Sequence, residues 1–244
     1  MALQSLTIDD ARFRAGNWRA SRELAYLVPL SPAHTLTEKA LATARAALEA
    51  QGFDEVVTAA VAPPERAAFL RDGYEEREHL HLLRYDLTKL PQSRPFWNRR
   101  SRKPKIERGT QVHRPDVLAL DARTFDEFWQ LNDDGLQDAL DATPTSRIRI
   151  IRSADASAPL LGYAVGGRAG SQGFLQRLAV DPDAEGQGLG SALIADTLQW
   201  MRRRGATVGW VNTQEANTRA LGLYRHLGFT PADHNLTVLA RRLS

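Results

Sequence analysis

Cysteine is absent from all 244 residues. That excludes disulfides, thiolate-bound zinc and a cysteine nucleophile, and it fits a cytoplasmic protein, which is the expected location. Long apolar runs are absent as well. No stretch approaches the roughly 20 residues that a helix needs to cross a bilayer, so no membrane partner is expected. The opening MALQSLTIDD has neither the basic nor the apolar region of a secretory leader. Charge of one sign is scarce. The formal net charge is +3, too small a surplus to argue nucleic-acid binding by itself. His79 and His81 share one face of an expected strand, but no third ligand accompanies them, and no metal is expected. Two phosphate signatures are also missing. A Walker loop needs Gly-Lys-Ser/Thr, which does not occur, and G-x-G-x-x-G fails because its third glycine would fall on Ser191.

What is present centres on FLQRLAVDPDAEGQGLGSALIADTLQWMRRR, residues 174–204. Phe174 to Val180 reads as a strand, and Asp181-Pro182-Asp183 stops it. Gly186, Gly188 and Gly190 then recur at every second position. A helical pattern follows at once, with Leu189, Leu193, Ile194, Thr197, Leu198, Trp200 and Met201 on a broad apolar face. Strand, glycine-rich turn and helix make a phosphate cradle. Unpaired N–H groups at the helix start point outward, and glycine lets phosphate oxygens reach the backbone.

The N-terminal part reads as strands over Asp10 to Arg14 and Glu23 to Leu30, a helix from Thr37 to Gln51, and a strand from Glu55 to Val61. A short proline-led helix to Asp72 follows, then two short strands, the second running from His79 to Leu87. The same order recurs over residues 174–242. FLRDGYEEREHLHLLRYDL aligns with YRHLGFTPADHNLTVLARRL, pairing Gly73-Tyr74 with Gly228-Phe229 and Phe69 with Tyr224. This reads as an internal repeat. SPAHTLTEKA in the first copy has no glycine loop, and Phe69 has no hydroxyl.

Between the copies, residues 88–109 read as a proline-containing linker. Its basic residues are Lys89, Arg94, Arg99, Arg100, Arg102, Lys103, Lys105 and Arg108, beside Phe96 and Trp97. Such a segment could bind RNA or DNA by phosphate contacts and stacking. Charge runs are more often solvated, and that is the reading adopted. Thr110 to His113 is expected as a first strand. A helix from Arg114 to about Ala122 follows, then a second from Asp126 to Leu140 carrying Asp126, Glu127, Asp133, Asp134 and Asp138. SRIRIIRS, from Ser146, alternates as an exposed strand, with Leu160 to Arg168 as its hairpin partner. Thr207 to Thr213 is the strand after the cradle helix.

Glu185-Gly186-Gln187-Gly188-Leu189-Gly190 resembles the pyrophosphate loop Q/R-x-x-G-x-G/A of the GNAT superfamily of N-acetyltransferases, with Glu185 departing from the usual Arg or Gln. The family relies mainly on backbone N–H groups there, so Glu185 is expected to point away. QEANTRALGLYRHLGF resembles the second signature, N-x-x-A-x-x-L-Y-x-x-x-G-F, at Asn217, Ala220, Leu223, Tyr224, Gly228 and Phe229. The resemblance covers residues 110–244 in full and 10–87 as a degenerate copy.

It implies an α/β (α+β) GNAT fold: a mixed central sheet flanked by helices and preceded by a truncated GNAT-like repeat. The implied domains are 1–87, without the acyl-CoA loop; the linker 88–109; and a catalytic domain, 110–244. The implied co-substrate is acetyl-CoA, with a primary amine as acceptor and direct attack on the thioester. The backbone of Leu178, Ala179 and Val180 would meet the pantetheine arm. Gly186, Gln187, Gly188, Leu189, Gly190 and Ser191 would hold the pyrophosphate, and Asn217 the pantetheine amide. Tyr224 would protonate the departing thiolate. The general base is not assigned. Relatives that acetylate ribosomal-protein N-termini carry a glutamate where this chain has Asn212, and the other familiar position holds Phe174. Water, Glu215 or an acid of the helices beside the acceptor groove are the alternatives. The tandem arrangement resembles mycothiol synthase, whose halves are more complete, so its substrate is not carried over. The alternative function is a non-catalytic acyl-CoA-binding or nucleic-acid-associated adaptor.

Overall fold

A computed structural model describes residues 3–19, 21–90, 104–153 and 158–243. In chain order its elements are β1 (Gln4–Ile8), β2 (Ala11–Asn17), β3 (Leu24–Pro29), α1 (Glu38–Glu49), β4 (Glu55–Thr58), α2 (Pro63–Arg71) and β5 (Glu75–Asp86). They continue as β6 (Ile106–Arg108), α3 (Arg114–Thr124), α4 (Asp133–Asp141), β7 (Thr145–Arg152), β8 (Leu160–Ala169) and β9 (Gln172–Val180). The last are α5 (Leu189–Arg203), β10 (Val208–Gln214), α6 (Thr218–His226), β11 (Thr230–Pro231) and β12 (Leu236–Arg242). Contacts divide the chain into two units that interleave along the sequence. One takes the described residues of Met1–Leu82, Asn212–Leu221 and Pro231–Ser244; the other takes those of Leu83–Val211 and Gly222–Thr230.

In the first unit the strands run β1-β2-β3-β4-β12-β5. β3 and β4 are parallel, as a helical crossover requires, and the last strand of the chain lies antiparallel to β4 and β5 between them. α1 presents Ala40, Leu41, Ala44 and Leu48 to the sheet, a three- and four-residue spacing that puts all four on one face. Phe13, Leu27, Val56, Phe69 and Leu239 complete that core. The Thr37 side chain accepts from the Ala40 N–H at 3.1 Å and caps α1.

In the second unit the order is β5-β10-β9-β8-β7-β6, through the parts of β5 and β10 that belong to it. β6 to β9 are antiparallel, and β9 and β10 are parallel. Val117, Leu120 and Leu136 of α3 and α4 pack on Ile148, Ile150, Tyr163, Val165 and Ala179. α5 approaches β8 where glycines leave room. A Cβ on Gly162 would lie 3.1 Å from Leu193 Cδ1, and one on Gly166 would lie 2.8 Å from Thr197 Cγ2.

Several elements differ from expectation. β1 was not foreseen, and the two short strands after Gly73 are one strand of 12 residues, β5. Thr110 to His113 forms no strand. Gln111–His113 is a 3-10 turn closed by a Thr110–His113 capping box, and the edge strand is β6, inside the expected linker. The second acidic helix is broken. Glu127–Trp129 makes one 3-10 turn, and Asn132 starts α4 afresh by accepting from Gly135 N–H at 2.8 Å. β7 is not an exposed strand. Ile150 and Ile151 are buried, because apolar layers cover the interior of this sheet. Arg94, Phe96, Trp97, Arg99, Arg100, Arg102 and Lys103 of the basic segment lie outside the described residues.

Leu239 is fully buried in the first unit's core. Leu239→Ala should therefore cost about 2–5 kcal/mol in urea unfolding, the range for deleting a buried leucine side chain. A loss under about 1 kcal/mol would contradict the packing described.

Candidate active site

The site is built from β9 outward. β9 pairs with β8 through Val165↔Arg177, then Gly166↔Leu175, so Gln176 is an extra residue, a β-bulge. On its other side β9 pairs with β10 for three residues only, ending at Trp210↔Phe174. Leu178, Ala179 and Val180 continue opposite Ala164, Tyr163 and Gly162 of β8. Along that stretch the main-chain groups on the β10 side are not used by the parallel ladder. The pattern of apolar residues cannot reveal such a bulge; the pairing register does.

After β9, the Asp181 carboxylate accepts from Asp183 N–H at 3.1 Å and pairs with Arg123 at 2.5 Å, which fixes the exit of the chain. Gly186 and Gly188 follow with φ of 74° and 79°, a region that residues with a side chain rarely adopt. Nothing lies within 4 Å of a Cβ built on either. Gly188 is the N-cap of α5 and offers no side-chain cap. The first helical bond runs from Ala192 N–H to Gly188 O at 3.0 Å, so the N–H groups of Leu189, Gly190 and Ser191 have no intrahelical acceptor. Gly190 has a different task. Its Cβ position lies 3.2 Å from Leu223 Cδ2 and 3.6 Å from Val180 Cγ2, so a small residue lets α6 and the end of β9 close on α5. Glu185 and Gln187 are exposed.

α6 carries the second signature. The Asn217 Oδ1 accepts from Ala220 N–H at 2.9 Å and so caps the helix, which leaves Nδ2 as the side chain's remaining donor. Tyr224 is buried, its ring 5.5 Å from that of Phe229. Burial pushes the phenol well above the ordinary tyrosine range. The helix ends where Phe229 N–H meets Tyr224 O at 3.0 Å and Gly228 N–H meets Arg225 O at 3.0 Å. α2 ends in the same way, with Tyr74 N–H on Phe69 O at 3.1 Å and Gly73 N–H on Leu70 O at 3.0 Å. The Phe69 and Tyr74 rings lie 4.9 Å apart. The correspondence of Phe69 with Tyr224 thus extends from sequence to cap geometry.

Within the second unit, Gly190 of the glycine loop meets Val180, the last residue of β9, and Leu223, the neighbour of Tyr224 in α6. Asn217, Asn212 and Glu215 belong to the first unit's contacts. Asn212 is exposed; the Glu215 carboxylate accepts from Asn235 at 3.4 Å. Among the described residues no group of three potential metal ligands occurs, and His79 faces Glu76 at 3.4 Å.

One cluster was missed at the level of sequence. Asp121 of α3 is fully buried and accepts from Arg177 Nε at 2.7 Å and Nη2 at 2.9 Å, from the Tyr163 hydroxyl, and from Leu131 N–H at 2.6 Å. Arg177 also donates to Trp129 O at 2.6 Å, and its guanidinium lies 3.4 Å from the Phe125 ring centre. Burial, with the Asp121 carboxylate beside it, holds the Tyr163 phenol in its protonated form. The available signal was a lone arginine in FLQRLAV, since a charge inside a central strand needs a buried partner.

Residues 114–229 match the model of the Acetyltransferase (GNAT) family. Over 58 residues the chain is 40% identical to the ribosomal protein bS18-alanine N-acetyltransferase of Escherichia coli strain K12, covering 24% of this chain and 39% of that one. Over 123 residues it is 35% identical to the mycothiol acetyltransferase of Salinispora tropica, covering 46% and 39%. The chain therefore spans well under half the length of these curated relatives. A solved tandem GNAT protein from the clavulanic acid biosynthesis pathway shares the fold at a TM-score of 0.70 and 13% identity, over 96% of this chain and 79% of that one. A putative GNAT-family acetyltransferase from Novosphingobium aromaticivorans does so at 0.64 and 19% identity, over 98% and 92%. Glycine loop, α6 signature and family model fall on the same residues: the segment 114–229 of this chain matches the acetyltransferase (GNAT) family.

Proposed function

We propose that the chain transfers the acetyl group of acetyl-CoA to a primary amine by direct attack. The observation that carries this reading is the uncapped start of α5 behind two open glycines, beside the unpaired edge of β9. Gly186 to Ser191 would hold the pyrophosphate with backbone N–H groups and the helix dipole. Leu178 to Val180 would take the pantetheine arm in the manner of an added strand. The amine nitrogen attacks the thioester carbon, the C–S bond breaks, and the amine's proton passes to water or a nearby carboxylate. The acceptor is a small molecule or a peptide N-terminus, the two kinds of substrate that the relatives' names suggest. Acids of the α3–α4 region, which carries Asp126, Glu127 and Asp134 exposed, would favour a cation. A cytoplasmic location fits; among the described residues no helix is long and apolar enough to cross a membrane.

Tyr224 would act on the sulfur. A phenol raised by burial keeps its proton throughout neutral pH, so it enters the reaction as a donor. It is a weaker acid than a thiol, whose ordinary pKa is about 8.5. Its contribution is then a hydrogen bond that strengthens as charge develops on sulfur, with the proton following. The segment 1–87 is a degenerate copy that binds no acyl-CoA. Its helix start is occupied by the Thr37 hydroxyl, and Phe69 stands where Tyr224 does.

Calorimetry should find one equivalent of acetyl-CoA per chain. Gly188→Gln should weaken it by about tenfold or more, some 1.4 kcal/mol, by placing a side chain before the N–H groups. Unchanged affinity, or a second site in residues 1–87, would contradict the reading.

Tyr224→Phe should lower turnover by about 10²–10⁴-fold, the range for one positioned acid, and leave acetyl-CoA affinity within a few-fold. In the wild type no loss of turnover assignable to Tyr224 should occur below the ordinary tyrosine pKa of about 10. A descending limb centred near pH 8 that vanishes in Tyr224→Phe would contradict the raised phenol. Unchanged turnover in the variant would leave the residue a packing role only.

A further inference from the structure

We propose that Arg177 is a positioning residue, tying the cofactor strand β9 to the α3–α4 connection and so setting the shape of the acceptor site. The proposal rests on the acetyl-transfer reading above and extends it to residues outside both signatures. The bulge at Gln176 decides which way Arg177 faces, because one inserted residue transfers the next side chain to the other face of the strand. Arg177 is thereby aimed at α3, immediately before the three residues assigned to the pantetheine arm.

The connection it reaches is short, with local bonds from Trp129 and Gln130 N–H to Asp126 O and from the Gln130 side chain to Ala122 O and Phe125 O. Between α3 and α4 there is one 3-10 turn, and its main chain is held at defined points. Leu131 N–H is taken by Asp121 Oδ1, Trp129 O by Arg177 Nη2, and the Phe125 ring lies under the guanidinium. All three depend on the Asp121–Arg177 pair, which is bidentate and nearly solvent-free: the Asp121 side chain is 0% exposed and that of Arg177 12%. A paired charge this deeply placed contributes little net stability compared with apolar residues of the same volume. What it supplies here is geometry. The planar fork fixes two oxygens and a carbonyl at once, which an ammonium cannot do.

The test uses the full chain and two variants. Arg177→Lys keeps a charge for Asp121 but loses the fork, the Trp129 contact and the stacking. The double variant Arg177→Met with Asp121→Leu removes both charges and leaves no buried ion unpaired, so it preserves the fold if the single variant does not. Hydrogen exchange over residues 125–131 should accelerate by about tenfold or more in both, while the β8–β9 amides stay protected. Acetyl-CoA affinity by calorimetry should stay within about threefold, and the KM for the amine should rise about tenfold with kcat nearly unchanged. The panel is an alanine-initiated peptide, a lysine peptide and an amino sugar. Wild-type exchange in residues 125–131, or an unchanged amine KM, would overturn the proposal. So would acetyl-CoA affinity and melting temperature falling together. If the wild type binds acetyl-CoA but acetylates nothing in the panel, the transfer reading fails separately, and the exchange comparison alone then upholds or overturns the tether.

Discussion

A helix cannot satisfy its first N–H groups from within, and everything proposed for this chain depends on how two helix starts meet that constraint. At α1 the Thr37 hydroxyl takes the Ala40 N–H, and the helix start is closed by its own side chain. At α5 the cap is Gly188, which has no side chain to offer, in a backbone region open on all sides of its Cβ position. The donors of α5 therefore face outward toward whatever anion arrives. One substitution class, threonine against glycine at the cap, separates a self-capped helix from one with an uncapped start, the proposed phosphate cradle, in two segments of otherwise similar order.

The surroundings of that cradle are shaped by interruptions of regular structure rather than by the structure itself. β9 leaves the parallel ladder with β10 after Phe174, and Gln176 inserts a bulge against β8. The first frees main-chain groups along Leu178 to Val180. The second turns Arg177 into the α3 side, where Asp121 receives it. Gly190 then admits Leu223, which brings the second half of α6 against the start of α5. Each step is a local exception that places a backbone or a side chain a regular sheet would have placed elsewhere.

Much of the fold was readable from periodicity and punctuation. α1 and α5 followed their apolar stripes, and the glycines at 73 and 228 marked two helix ends of the same geometry. The pairing of Phe69 with Tyr224 was visible because both precede those ends by the same interval. What escaped detection depended on long-range partners. Nothing local announces that Ile106–Arg108 would pair with β7, or that β12 would settle between β4 and β5. SRIRIIRS alternates like a solvent-facing strand, yet its isoleucines are covered. The acidic stretch from Asp126 reads as one helix because acids and leucines keep helical spacing. Asn132 interrupts it by capping a new start. Asp121 and Arg177 are 56 residues apart, and only the bulge brings them face to face.

The most direct test of the cradle follows backbone amide shifts while acetyl-CoA is titrated into the isotopically labelled full chain. The expected result is saturation at one equivalent, with the largest shifts at Gly188, Leu189, Gly190 and Ser191 and none at Thr37 to Ala40. Shifts centred on α1, or a bound state that leaves the α5 amides unmoved, would contradict it.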